Sequence, residues 1–134
     1  MPTVLVVEDD PEMLTSDCDV LGTKFAVLAA TCGEDALSMA REAHPAVIVL
    51  DVMMPGGKDG FTVFRELRNE RATRAIPVIF LTAVNRVTNL SFGPQEIGRQ
   101  LGAEPAAFLE KPVSADQLLQ TVTDVLKKSG SVTL

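Results

Sequence analysis

The 134-residue chain contains no tryptophan and no tyrosine, so a stacking platform for nucleic-acid bases would rest on six phenylalanines. It is also short of positive charge, with 12 Lys and Arg against 18 Asp and Glu, a net −6. A DNA-binding surface needs clustered bases for phosphate contacts, so this balance argues against direct nucleic-acid binding. The two cysteines, Cys18 and Cys32, have neither metal-ligand spacing nor a CxxC arrangement and read as small hydrophobes. No apolar run approaches the ~18 residues that a membrane span needs. The start, Met1-Pro2-Thr3, lacks the basic stretch and small-residue cleavage site of a signal peptide, which points to the cytoplasm. What is plentiful is apolar surface: 46% of residues are hydrophobic, enough for a packed core. At ~150 residues per domain the length gives one domain, expected over 1–128, with 129–134 as a frayed tail.

Short apolar runs alternate with amphipathic stretches. The runs are TVLVV (3–7), FAVLAA (25–30), AVIVL (46–50), PVIFL (77–81) and AAFL (106–109). Most are apolar at consecutive positions, as parallel strands covered on both faces require. Between them, Leu14, Cys18 and Leu21 share a helical face behind Asp10-Pro11, a good N-cap followed by a good first helical residue. A second helix carries Ala36, Leu37 and Ala40 and stops at His44-Pro45. A third places Phe61, Phe64 and Leu67 on one face, with Arg65, Arg68 and Arg71 beside them. The last carries Leu118, Val122, Val125 and Leu126 behind a capping-box pair, Ser114 and Gln117. The polar stretch 82–105 suggests a loop at Asn85–Phe92 and a short helix from about Pro94 to Leu101, ended by Gly102.

Five strands alternating with five helical segments predict a flavodoxin-like, doubly wound α/β fold. Its sheet is five-stranded and parallel, in the order 2-1-3-4-5. Ligands of such sheets bind beyond the carboxyl ends of the strands, at the switch point between strands 1 and 3. On that rim the first strand delivers Glu8, Asp9 and Asp10, and the third delivers Asp51. The fourth delivers Thr82, and the fifth Glu110, Lys111 and Pro112. Carboxylates crowded at one point repel unless a cation intervenes, and a hard, oxygen-seeking Mg²⁺ fits them. Lys111 and Thr82 can meet phosphate oxygens, and one carboxylate is left as a nucleophile. Singly, each is an ordinary strand-end residue, and Asp10 is best explained as a helix cap. Together they place complementary chemistry on the one rim where the fold binds ligands.

The segments VLVVEDD, LDVMMPGGKDGF, IPVIFLTA and FLEKP resemble the receiver domain of two-component response regulators, from about Val4 to Leu126. The resemblance implies that Asp51 accepts a phosphoryl group. Mg²⁺ would be held by Asp9, Asp51, the Met53 carbonyl and Glu8, the last often through water. Thr82 would be the switch hydroxyl and Lys111 the phosphate-binding lysine, with a Lys111-Pro112 bond that is often cis in the family. Phe108 stands where the family often has a switching aromatic, commonly Tyr; without a hydroxyl its switching would rest on ring packing. The implied donor is a histidine kinase or a phosphotransfer protein. The implied output is a downstream protein bound to the face of the family's fourth helix, fifth strand and fifth helix, by a stand-alone monomer or weak homodimer with no output module. Met53 and Val84, both apolar, imply a long-lived phosphoaspartate.

Two departures stand out. MPGGKDG has one residue more than the usual turn after the acceptor, which its glycines can absorb. The interval from Thr82 to Lys111 is several residues longer than usual, so Asn85–Phe92 reads as an insertion, a tolerated loop or a partner surface. His44, the single histidine, reads as a helix-end residue rather than a relay histidine. A flavin module would want a phosphate loop where Glu8-Asp9-Asp10 stands. A phosphatase of the haloacid dehalogenase kind would want an Asp where Met53 stands. A scaffold that is never phosphorylated has no need of all five key residues.

Overall fold

The computed structural model describes residues 2–54, 58–83 and 105–129. Five strands, β1 (Thr3–Val7), β2 (Ala26–Ala30), β3 (Val47–Asp51), β4 (Val78–Ala83) and β5 (Ala107–Lys111), form one sheet in the order β2-β1-β3-β4-β5. Every neighbouring pair is parallel. Four helices lie among the described residues: α1 (Pro11–Leu21), α2 (Gly33–Ala43), α3 (Gly60–Asn69) and α4 (Ala115–Lys128). This is the predicted architecture. The short helix expected near 94–101, the Asn85–Phe92 loop and Val84 lie outside the described residues.

The consecutive apolar positions in the strands sort to two faces, because side chains alternate along a strand. Leu5, Val7, Ile48, Leu50, Val78 and Phe80 pack under α2 and α3. Val4, Val6, Val47, Val49, Ile79 and Leu81 pack on the other face, with Leu21 of α1 and Leu118, Val122, Val125 and Leu126 of α4. Each fully buried Val, Leu or Phe contributes about 1.5–3 kcal/mol of transfer free energy, so a strand apolar at every position stabilises both layers. The outer strand β2 departs from this pattern: Ala26 and Ala29 are exposed, as an edge strand with a single partner permits.

The helix starts follow their caps. Asp10 accepts hydrogen bonds from the Glu12 and Met13 N–H groups ahead of Pro11. Ser114 accepts from Gln117 N–H at 3.1 Å, and Asp59 from Thr62 N–H at 2.8 Å. Exposed His44 ends α2 in the left-handed region (φ 47°), and its N–H donates to the Ala40 carbonyl. That is the helix-end role read for it.

Candidate functional site

The carboxyl ends of β1, β3, β4 and β5 meet on one rim. Register sets their heights: Asp51 pairs with Leu81 and Leu81 with Leu109, so Thr82 and Lys111 stand one and two rungs farther out. At ~3.3 Å per rung, a lysine side chain is long enough to reach back to Asp51. Lys111 Nζ lies 2.8 Å from Glu8 Oε1 and 3.2 Å from Asp51 Oδ1. Glu8 and Asp51 are almost wholly buried, and Asp9 is half-buried. One carboxylate oxygen from each of Glu8, Asp9 and Asp51 falls within a cluster 4.8 Å across. The Met53 N–H donates to Asp51 Oδ1 at 3.3 Å and the Asp10 N–H to Glu8 Oε2 at 3.3 Å. Thr82 is fully buried, and its Oγ1 has no hydrogen-bond partner among the described residues.

Gly60 lets α3 start against this rim. Its N–H donates to the Val52 carbonyl at 2.9 Å, and a Cβ there would strike the Asp51 carbonyl oxygen and come within 2.8 Å of Val52 Cα. Phe108 is half-buried on the α2–α3 face, its ring 6.0 Å from Phe80, which in turn contacts Phe61 and Phe64 at 5.4 and 5.2 Å. Lys111-Pro112 is cis.

The charge balance strains the site. Burial and the hydrogen bond with Asp51 push the Glu8 carboxyl up, and Lys111 only partly opposes them. Burial and the neighbouring Glu8 raise Asp9. Burial pulls the Lys111 ammonium down, but Glu8 and Asp51 outweigh it, so Lys111 is held above its usual value. Three carboxylates against one ammonium leave a net −2. An all-oxygen donor set with that deficit suits a hard divalent cation.

Residues 4–123 match the profile of the response regulator receiver domain. The chain belongs to that family. This receiver is 36% identical to protein PilH of Pseudomonas aeruginosa, over 94% of this chain and 98% of PilH. It is 36% identical to the transcriptional regulatory protein AfsQ1 of Streptomyces coelicolor, over 96% of this chain but 52% of AfsQ1. The chain spans about half the length or less of other curated relatives, AfsQ1 and response regulator PleD among them. Among solved structures, the receiver resembles the chemotaxis response regulator CheY4 of Vibrio cholerae, with a TM-score of 0.77 and 28% identity over 94% of this chain and 99% of that one. It also resembles the receiver domain of Francisella response regulator 1452, with a TM-score of 0.77 and 29% identity over 96% of this chain and 99% of that one. No helix among the described residues is long and apolar enough to cross a membrane.

The fold of this receiver thus brings Glu8, Asp9, Asp51, Thr82 and Lys111 to one rim, while Phe108 sits inside the aromatic packing of one face. Two further residues escaped the sequence reading. Asp17 is half-buried on α1, and its Oδ2 has no hydrogen-bond partner among the described residues. Burial and the charge of Glu8 push its carboxyl up to about 6. Its signal was in the sequence: an acid three residues past Leu14 and four before Leu21 stands inside the apolar stripe. Met13 Sδ lies 3.9 Å from Lys111 Nζ, a contact spanning 98 residues that no local pattern announces.

Proposed function

We propose that Asp51 is the phosphoacceptor of this receiver, with a histidine kinase or phosphotransfer protein as donor. The observation that carries this reading is the Lys111 bridge between Asp51 and Glu8 beside Asp9, an acceptor carboxylate already facing a cation on the ligand-binding rim. In the transfer, an Asp51 carboxylate oxygen attacks the phosphorus of a phosphohistidine. The P–N bond breaks, and its electron pair returns to the imidazole. Lys111 turns its ammonium from Asp51 toward the incoming oxygens, and the Thr82 hydroxyl, unpartnered among the described residues, donates to one of them. Positioning and charge stabilisation carry most of such a reaction. Glu8, Asp9, Asp51 and the Met53 carbonyl would hold Mg²⁺, which supplies Lewis-acid stabilisation of the transferring oxygens.

The output in this reading is a conformational bias rather than an enzymatic product. Thr82 moves toward the acyl phosphate, and the Phe108 ring, which meets the Phe80 ring edge-on, repacks with it. A downstream protein then reads the face that includes β5 and α4. The receiver unit spans 1–128 and works in the cytoplasm.

Intact-mass measurement with acetyl phosphate and Mg²⁺ tests the assignment. One phosphoryl adduct is expected on the parent chain and none on Asp51→Asn. An adduct that persists in Asp51→Asn would move the acceptor elsewhere.

A further inference from the structure

Two thioethers border the Lys111–Asp51 pair, and the phosphoryl reaction uses neither side chain. Met13, in the first turn of α1, is half-buried, with Sδ 3.9 Å from Lys111 Nζ. Met53, two residues beyond Asp51, is 39% exposed, whereas its neighbour Met54 is buried. The Lys111 ammonium has three N–H donors. One donates to Glu8 at 2.8 Å, and the ammonium also forms an ion pair with Asp51 at 3.2 Å. Among the described residues its other hydrogen bond runs to the Met13 sulfur, a weak acceptor, and that donor is the one most easily given to an incoming phosphoryl oxygen.

Oxidation would change that acceptor. A peroxide transfers one oxygen to a thioether: the sulfur lone pair forms the S–O bond, the O–O bond breaks, and with hydrogen peroxide the remaining oxygen leaves as water. Sulfur is oxidised by two electrons, the peroxide is reduced, and the product is a polar sulfoxide. At Met13 the new oxygen would lie beside the ammonium, and a sulfoxide oxygen accepts hydrogen bonds far better than a thioether sulfur. We propose that Met13 is an oxidation-sensitive modification site whose sulfoxide holds the Lys111 donor that now faces its sulfur and so slows phosphoryl uptake. The consequence for uptake rests on the phosphoacceptor reading above; the Met13–Lys111 contact does not. Met53, the most exposed methionine among the described residues, is expected to be oxidised first of these and serves as the internal reference for exposure.

The test treats the full chain with hydrogen peroxide, maps the methionines by peptide mass, and follows uptake from acetyl phosphate. Oxidation at Met13 is expected to slow uptake about tenfold, the scale of one lost hydrogen bond to a charged group. The near-isosteric Met13→Leu variant, treated identically, should keep its own untreated rate. Methionine sulfoxide reductase should restore the parent. A second measurement needs no phosphoryl chemistry: the ¹⁵N resonance of the Lys111 side chain should shift on oxidation of the parent and stay fixed in Met13→Leu. Met13 remaining reduced after Met53 and Met39 are oxidised would overturn the proposal. So would equal slowing in both proteins, or Met13 oxidation that leaves the Lys111 resonance unmoved. If the untreated chain takes up no phosphoryl group, the phosphoacceptor reading fails instead, and the resonance still decides the Met13 contact.

Discussion

Asp17→Asn is expected to stabilise the protein at neutral pH and leave it almost unchanged in acid. Asp17 sits within the α1 stripe that packs toward the sheet, and its carboxyl is pushed from 3.8 up to about 6 by burial and then by Glu8. At about 1.4 kcal/mol per pKa unit, that gap sets a ceiling of about 3 kcal/mol. The side chain is only half-buried, and solvent screening reduces the expected effect to about 1–2 kcal/mol. The sign follows from linkage. A carboxyl whose folded pKa is raised binds its proton more tightly when folded, so its contribution is fully present below 3.8 and is lost as pH rises through about 6. Asparagine carries no such charge. Urea unfolding of both proteins, in chelator, at about pH 4 and about pH 8 measures the difference. The raised carboxyls of Glu8 and Asp9 act in both proteins and largely cancel. Parallel stability curves across that interval would refute the reasoning, because they would mean that the Asp17 charge costs nothing where it sits.

Thr82→Val should raise stability by about 1 kcal/mol, because it replaces a buried hydroxyl that has no partner among the described residues by a methyl of the same shape, and it should slow phosphoryl uptake. Denaturant midpoints and intact-mass time courses read the two effects separately. Gly60→Ala should cost about 2 kcal/mol or more, since the new methyl meets backbone rather than a movable side chain; thermal unfolding checks this. Mg²⁺ should raise the melting temperature near neutral pH and lose that effect in acid, as Glu8 and Asp9, already displaced upward, take protons instead. Calorimetric scans with and without Mg²⁺ measure it.

The sheet was legible because most of its strands are apolar at consecutive positions, as two-sided cover requires, and are short and bounded by turn residues. β1 lies where TVLVV placed it, but β3, β4 and β5 run one or two residues past their apolar runs. Asp51, Thr82 and Lys111 therefore belong to the strands themselves, because backbone pairing continues where hydrophobicity stops. Caps such as Asp10 and Ser114 were readable because they act within three residues. Arg71 was placed beside the α3 face, yet α3 ends at Asn69, since turn geometry and not charge pattern closes it. The convergence of acids on the rim followed from strand order alone. The Lys111–Glu8 bond, shorter than Lys111–Asp51, did not, because it depends on register and side-chain reach across the sheet.

The position of β5 gives the site unequal mechanical support. Asp51 ends a central strand, clamped by β1 on one side and β4 on the other, whereas Lys111 ends a strand whose one sheet neighbour among the described residues is β4. The carboxylate is thus an anvil and the ammonium a compliant jaw. A small tilt of β5 would change their gap without breaking a rung between β1, β3 and β4. A load applied to β5 would reach Lys111 before it reached Asp51, because β4 stands between β5 and β3.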